Sequence, residues 1–279
     1  MKIHRAKVYF LTIVLTLSIC GCSKIKYGSN NGEYLTIHGT KLYYEEYGNG
    51  KPVLLIPGGF GSISDFQKFA PLLAESYRVI IPDPPGQGRS DHADKPISYQ
   101  LMSEYYSEFI NLMKLESVYV IGHSDGGVAA LLLAKNNPGK VKKVISSGAN
   151  YRADGVKKEI REFNETKLCN VGWAEMNNKG WIDKYKNLAP QNDWKKYVTE
   201  TLTMWNMEEY FPKSDLENIG IPVLLIYGET DVITTEHENE IHDAVKGSQL
   251  RILEKTSHNV FIEQPELLNS IANDFFNSK

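Results

Sequence analysis

The chain is poor in cysteine, carries no excess of basic residues and lacks an apolar run long enough to span a bilayer comfortably. Only three of its 279 residues are cysteines, and two of these, Cys20 and Cys22, lie near the start. This leaves neither a disulfide framework nor a paired-cysteine metal site. A net charge of −3 gives no basic field for nucleic acid. Glycine and proline are too scarce for a fibrous or disordered chain, and 42% hydrophobic residues suffice for a core. A cofactor-free enzyme or a binding protein remains.

The first residues have the pattern of an export signal. Three positive residues, Lys2, Arg5 and Lys7, precede an apolar run over residues 8–19. A membrane-spanning helix needs about 20 apolar residues, so this run fits the core of a signal peptide better than a membrane span. We therefore expect the protein to be exported.

A cysteine follows the apolar run at the position of a lipid attachment site. The segment Ile19-Cys20-Gly21-Cys22 resembles the bacterial lipobox, in which a small residue precedes the cysteine that receives a lipid. We expect a signal peptide over residues 1–21, a lipidated Cys22 and a polar tether over residues 22–33. The alternatives are an ordinary cleaved signal of a secreted protein and an uncleaved anchor.

From residue 34 onwards, short apolar runs that predict buried strands alternate with segments of helical spacing. This alternation predicts an α/β fold in which a mostly parallel central sheet has helices on both faces. The predicted strands cover residues 34–38, 41–47, 52–56, 77–82, 117–121, 141–146, 222–227 and 249–253, and the predicted helices cover residues 63–74, 100–115, 126–136, 235–245 and 266–276.

Residues 150–218 interrupt the alternation. They contain all four tryptophans of the chain, show no buried-strand pattern and have the apolar spacing of several short helices. Ligands of open α/β sheets bind beyond the carboxyl ends of the strands, so we expect a helical cap that walls a pocket there. For each tryptophan, packing between cap and core is the preferred role over lining the pocket. The core then has a first part at residues 34–149 and a second at residues 219–279.

Ser124 is the candidate nucleophile. It lies in Gly122-His123-Ser124-Asp125-Gly126, between a predicted strand and a predicted helix. A serine on so tight a turn takes a strained backbone conformation, and the flanking glycines let neighbouring segments approach without a Cβ clash. The helix N-terminus adds partial positive charge near a developing oxyanion. A simple glycine-rich turn would not explain this spacing. His123 is expected to point away from the nucleophile.

A serine hydroxyl needs a base that an acid holds in the right tautomer. His258 directly follows the last predicted strand, so it reaches the same carboxyl edge of the sheet as Ser124. Asp231 follows the preceding strand, and the 27 positions between it and His258 allow a helix and a strand to return to that edge. We predict the triad Ser124, Asp231 and His258, with Glu229 as the competing acid.

An oxyanion also needs two preorganised N–H donors. We predict one from the backbone of Asp125 and the other from the loop at residues 57–62, with Gly59 as first choice and Phe60 as the alternative. The Asp125 carboxylate either favours the helix start electrostatically, which we prefer, or recognises an amine on the substrate.

These motifs together resemble the α/β-hydrolase superfamily, specifically its capped, single-domain serine esterase-like members. The resemblance runs from about Tyr34 to Phe276. It includes the segment 83–90 (DPPGQGRS), which is similar to the Asp-x-x-Gly-x-Gly-x-Ser turn of the family, and the segment 221–231 that leads to the acid. Pro57 is a departure, because many members have histidine before the oxyanion glycine.

The resemblance implies acyl transfer to water through an acyl-enzyme, with a small carboxylic ester as the expected substrate. Cleavage of an amide, a peptide or a carbon–carbon bond uses the same triad and stays open. The second class is a non-catalytic surface lipoprotein that binds a ligand in the capped pocket. No metal or organic cofactor is implied. The expected partners are a small acyl substrate and, through the N-terminal lipid, a membrane; nucleic acid is not expected, and the oligomeric state stays open.

Overall fold

The computed structural model describes residue 28 and residues 31–278. The predicted signal peptide and Cys22 lie outside the described residues. No helix within this described part is long and apolar enough to cross a bilayer.

A single sheet of eight strands forms the centre of the protein. The strands are β1 (Glu33–Ile37), β2 (Thr40–Tyr47), β3 (Lys51–Ile56), β4 (Tyr77–Pro82), β5 (Val118–His123), β6 (Val141–Ser147), β7 (Val223–Gly228) and β8 (Gln249–Leu253). Their order is β1-β2-β4-β3-β5-β6-β7-β8. The pairs β1–β2 and β2–β4 are antiparallel, and all other pairs are parallel. The predicted fold class is confirmed.

The helices of the core are α1 (Ala70–Leu73), α2 (Tyr99–Leu112), α3 (Asp125–Asn136), α9 (Thr235–Ala244), α10 (Val260–Glu263) and α11 (Pro265–Asn277). Helices α2, α3 and α9 pack on one face of the sheet, and α1, α10 and α11 pack on the other. Because both faces are covered, the central strands are continuously apolar, and every residue of β7 is buried.

One predicted helix, over residues 63–74, is wrong as a single element. The structure has a 3₁₀ turn at Ile63–Phe66 and the short helix α1 at Ala70–Leu73. Pro71 lacks a backbone N–H and is tolerated only in the first turn of a helix, so a helix containing it begins at this point.

The chain between β6 and β7 is largely helical. It contains a 3₁₀ turn (Ala153–Gly155), α4 (Lys158–Phe163), a π-helical turn (Asn164–Leu168), α5 (Val171–Asn177), α6 (Lys179–Leu188), α7 (Trp194–Trp205) and α8 (Lys213–Glu217). Helix α7 buries its apolar face, and α8 packs on the core helices α3 and α9. Val156 forms a β-bridge with Ile233, in the loop after β7. This helical insertion therefore covers the carboxyl end of the sheet.

Candidate active site

Ser124 occupies a strained turn between β5 and α3. Its φ is 53° and its ψ is −120°, in a region that non-glycine residues rarely adopt. The turn needs glycines on both sides: a Cβ on Gly122 would lie 2.1 Å from the Gly126 carbonyl oxygen, and one on Gly126 would lie 2.2 Å from that of Ile56. The Ser124 N–H donates to the Ser147 carbonyl at 2.7 Å. The hydroxyl is thereby held at the carboxyl edge of the sheet.

The structure brings Ser124, His258 and Asp231 together as a continuous chain of hydrogen bonds. His258 Nε2 lies 2.9 Å from Ser124 Oγ, and His258 Nδ1 lies 2.7 Å from Asp231 Oδ1. Gly148, at the end of β6, leaves room for the imidazole, because a Cβ there would lie 2.6 Å from His258 Cε1. One imidazole nitrogen therefore faces the hydroxyl while the other faces the acid.

Asp231 is held as an anion in a buried position. Its residue is 1% exposed, and its two carboxylate oxygens accept the N–H groups of Gly228 and Ile233, each at 3.2 Å. Burial alone would raise its pKa, but the hydrogen bond and charge of His258, with the two backbone donors, hold the pKa below its usual value. An ionised Asp231 fixes the His258 tautomer in which Nδ1 carries the proton.

The competing acid, Glu229, makes a different contact. Its side chain is exposed, and its Oε2 accepts the backbone N–H of Lys255 at 2.7 Å. It therefore supports the β7–α9 loop against the segment after β8, while Asp231 bonds to the histidine.

The chain also matches known proteins over most of its described length. A family model described as alpha/beta hydrolase fold matches residues 51–175. The human "Serine hydrolase BPHL" is 27% identical over 261 residues, which cover 86% of this chain and 84% of that protein. A 2-hydroxy-6-oxo-6-(2'-aminophenyl)hexa-2,4-dienoic acid hydrolase of Metapseudomonas resinovorans is 24% identical, covering 84% and 86%. The solved bromoperoxidase from Bacillus anthracis shares the fold, with a TM-score of 0.76 at 21% identity and coverage of 88% and 100%. The chain has the α/β-hydrolase fold, and its sequence is similar to those of hydrolases.

The two candidate oxyanion donors after β3 differ in their hydrogen bonds. The Phe60 N–H donates to Tyr197 Oη of α7 at 2.9 Å, and the Phe60 carbonyl accepts Trp181 Nε1 at 2.8 Å. Both backbone groups of Phe60 are thus hydrogen-bonded to side chains of the helical insertion. The Gly59 N–H forms no hydrogen bond within the described chain. Together with the Asp125 N–H, which starts α3 and has no intrahelical partner there, it is available to an oxyanion.

The Asp125 carboxylate contacts two other elements of the protein. Oδ1 accepts Tyr99 Oη at 2.7 Å, and Trp205 Nε1 lies 2.9 and 3.0 Å from the two oxygens. Asp125 is 5% exposed, and burial raises its pKa to about 6, against the opposing effect of these donors. The side chain therefore joins the nucleophile turn to α2 and α7, a role that the position alone did not indicate.

A cavity of about 150 Å³ opens beside the triad. Its lining residues are Pro57, Gly58, Gly59, Asp65, Phe66, His123, Ser124, His258, Asn259, Phe261 and Ile262. The expectation that His123 points away from the nucleophile is wrong, because its ring centroid lies 4.9 Å from that of His258. Burial lowers the pKa of His123 to about 3, so it is neutral at physiological pH.

A buried aspartate braces the oxyanion loop. Asp83, which begins the turn over residues 83–90, accepts the Ile63 N–H and the Arg89 N–H, each at 2.9 Å. Its carbonyl accepts Ser90 Oγ at 2.7 Å. Burial raises the pKa of Asp83 to about 6. The turn thus connects β4 to the end of the loop that carries Gly59.

The tryptophans mainly pack the insertion together and onto the core. Trp181 and Trp205 stand edge-on to the Phe60 ring, at centroid distances of 4.9 and 5.3 Å. Trp194 is buried, and Trp173 packs on Phe163. Among the residues that the structure describes, the lining of the 150 Å³ cavity includes no tryptophan.

Proposed function

We propose that the protein is a serine hydrolase that cleaves small carboxylic esters. The observation that carries this proposal is the chain of hydrogen bonds from Ser124 through His258 to Asp231, beside an open cavity. A pure binding protein has no need for all three groups in this geometry.

In the proposed reaction, His258 Nε2 takes the proton of Ser124 Oγ as the oxygen attacks the ester carbonyl. The N–H groups of Gly59 and Asp125 stabilise the negative charge of the tetrahedral intermediate. The intermediate collapses to an acyl-enzyme, and His258 gives its proton to the departing alcohol. Water then repeats the sequence, with His258 as base, and releases the acid.

The dimensions of the cavity support a small acyl group. A volume of about 150 Å³ is close to that of an apolar cavity that accommodates benzene. The aromatic walls Phe66 and Phe261 favour an apolar acyl chain, while neutral His123 adds no charge beside the carbonyl.

A panel of p-nitrophenyl esters from acetate to decanoate, with Ser124→Ala as the control, tests this proposal. We expect turnover that is highest for short chains and lost in the variant, and we expect a serine-directed phosphonate to label Ser124. Activity that survives the substitution would refute the nucleophile. Preferential cleavage of aryl amides or of a carbon–carbon bond would replace the ester as the proposed substrate. If no substrate is cleaved and Ser124 is not labelled, the ligand-binding alternative is favoured.

We also propose that the protein is exported and anchored to the bacterial membrane through a lipid on Cys22. The charged start, the apolar run over residues 8–19 and the small residue before Cys22 support this. Metabolic labelling with a fatty acid tests it: Cys22→Ser should abolish incorporation and Cys20→Ser should retain it. If neither variant incorporates the fatty acid and the enzyme is found in the medium, the secreted alternative is favoured.

A further inference from the structure

We propose that the hydrolase body clamps the N-terminal tether beside the entrance of the catalytic cavity, and that an anchored protein therefore turns this entrance towards the membrane. The orientation towards the membrane rests on the proposed lipid anchor. The contacts that clamp the tether are made by residues that the structure describes.

The centre of the clamp is Glu45 of β2. Glu45 is 3% exposed, and its carboxylate accepts the hydroxyls of Tyr43, at 2.6 Å, and of Tyr47. The Gly28 N–H donates to Glu45 Oε2 at 2.7 Å. On its other side the Gly28 carbonyl accepts Arg89 at 3.1 Å. The tether is thus bound through both of its backbone groups at this residue, by side chains of the core.

Gly32 forms a second point of attachment. Its N–H donates to Tyr43 Oη at 2.8 Å, so the same tyrosine contacts both the tether and Glu45. A Cβ on Gly32 would lie 2.1 Å from the Tyr44 carbonyl oxygen and 2.8 Å from Glu45 Cγ. The backbone can approach this closely only because residue 32 is glycine.

The clamp lies next to the catalytic entrance. A Cβ on Gly28 would lie 3.6 Å from Ser64 Cβ, and Ser64 directly precedes Asp65, which lines the catalytic cavity. Lys184 of α6 donates to Ser64 at 2.8 Å and forms an ion pair with Asp65 at 3.5 Å. Ile262, a lining residue that is 45% exposed, lies on the same entrance.

The clamp also shortens the free tether. Gly28 lies six positions after Cys22, a reach of about 20 Å when fully extended. Without the clamp, the free chain would run over eleven residues to the start of β1 at Glu33, with a reach of about 38 Å. The shorter tether leaves the body little freedom to turn its opposite edge to the bilayer.

Two lysines lie beside the entrance, and one of them, Lys184, is paired with Asp65. Lys184 is partly exposed, and the exposed Lys68 donates to the Ile262 carbonyl at 3.1 Å. Lysines close to a bilayer are attracted to anionic headgroups. The orientation therefore depends on the anchor position, and the exposed Lys68 is compatible with it.

The orientation can be measured on the lipidated protein in vesicles that contain anionic lipid and a lipid with a nitroxide-labelled headgroup. A fluorophore is attached to Ile262→Cys or to Leu112→Cys, each in a Cys169→Ser background. Ile262 and Leu112 are 45% and 43% exposed, and Leu112 ends α2 at the opposite edge of the sheet. We expect quenching at residue 262 and none at residue 112. Equal quenching, or stronger quenching at residue 112, overturns the proposal.

Two variants test the clamp itself. Glu45→Ala removes the closer of the two acceptors of the Gly28 N–H, which also lies 3.2 Å from Tyr47 Oη, together with the carboxylate that holds Tyr43 and Tyr47. Gly32→Ala forces the tether away from β2. Each variant should abolish the difference between residues 262 and 112. Gly220→Ala is the matched control, because a Cβ there meets no atom within 4 Å. A difference that persists in both folded clamp variants overturns the role of the clamp.

The anchor can be tested separately from the orientation. A hexahistidine tag that replaces residues 1–22 attaches the same tether to a nickel-chelating lipid. If the natural protein fails to float with vesicles while the tagged protein shows the expected quenching, the lipid on Cys22 is wrong and the orientation holds. If the tagged protein shows no difference between the two positions, the orientation is wrong whatever the anchor.

Discussion

Trp205 donates its indole N–H to the carboxylate of Asp125, with Nε1 lying 2.9 Å from one oxygen and 3.0 Å from the other. The two residues are 80 positions apart, and the contact joins α7 of the insertion to the residue that follows the nucleophile. The same carboxylate bonds to Tyr99 of α2. The insertion is therefore attached directly to the residue that follows Ser124.

Trp205→Phe removes the indole donor and leaves an oxygen of buried Asp125 without its partner. An unsatisfied buried acceptor costs about 1–3 kcal/mol, so we expect the free energy of unfolding to fall by that amount. We also expect KM to rise more than kcat falls, because α7 loses its attachment while the triad is unchanged. Urea unfolding and steady-state kinetics measure both effects. Trp173→Phe, at a ring that packs on Phe163, is the control, and an equal change in both variants would contradict the assignment.

Asp125→Asn changes how stability depends on pH. Burial raises the folded-state pKa of Asp125 from 3.8 to about 6, so the native protein binds more protons than the unfolded chain between these values. The free energy of unfolding therefore falls as pH rises through this window, by up to about 3 kcal/mol for this one group. Asparagine does not titrate, so the wild type should lose stability relative to the variant between pH 4 and pH 7.

Chemical unfolding at several pH values checks this difference. The difference in stability between wild type and variant reports the titration of Asp125, because other titrating groups such as Asp83 are present in both proteins. Asp94→Asn, at an exposed position, serves as the control. A wild type and an Asp125→Asn variant whose stabilities run parallel over the whole range would show that Asp125 does not titrate in this window.

Asp231→Asn should leave the fold intact and remove most of the activity. The amide cannot hold His258 in the required tautomer or stabilise the imidazolium, so kcat should fall by about 10³- to 10⁴-fold. Glu229→Gln is the matched control, because Glu229 bonds to the Lys255 N–H and not to the histidine. We expect this control to keep kcat within about tenfold of the wild type. Comparable losses of kcat in the two variants would contradict the assignment of Asp231 as the acid.

The sequence predicted the elements that local patterns encode. Continuous apolar runs identified β3, β5 and β7, since a strand covered on both faces must be apolar throughout. The triad followed because successive parallel strands deliver their ends to one edge of the sheet. Pro71 is the local signal for the break within residues 63–74, because proline is tolerated only in the first turn of a helix.

Contacts between distant segments were not predictable in the same way. The Phe60–Tyr197 and Asp125–Trp205 hydrogen bonds join residues 137 and 80 positions apart, and no local pattern specifies which helix of the insertion meets which loop. The direction of His123 also depends on the bend at Ser124, which breaks the alternation of a regular strand.

Gly59→Ala tests the proposed oxyanion donor through the crowding around it. A Cβ on Gly59 would lie 2.4 Å from Asp125 Oδ2 and 2.7 Å from Trp205 Cζ2, so the loop or the carboxylate must shift. Either shift moves a predicted N–H donor away from the oxyanion, and loss of one such donor costs about 10²- to 10³-fold in kcat. Gly220→Ala adds the same methyl group where it meets no neighbour and should be neutral. The rate constant for labelling of Ser124 by a phosphonate should fall in parallel with kcat, because the phosphonate oxygen uses the same donors. Unchanged kcat in a folded Gly59→Ala protein would show that the oxyanion is stabilised elsewhere.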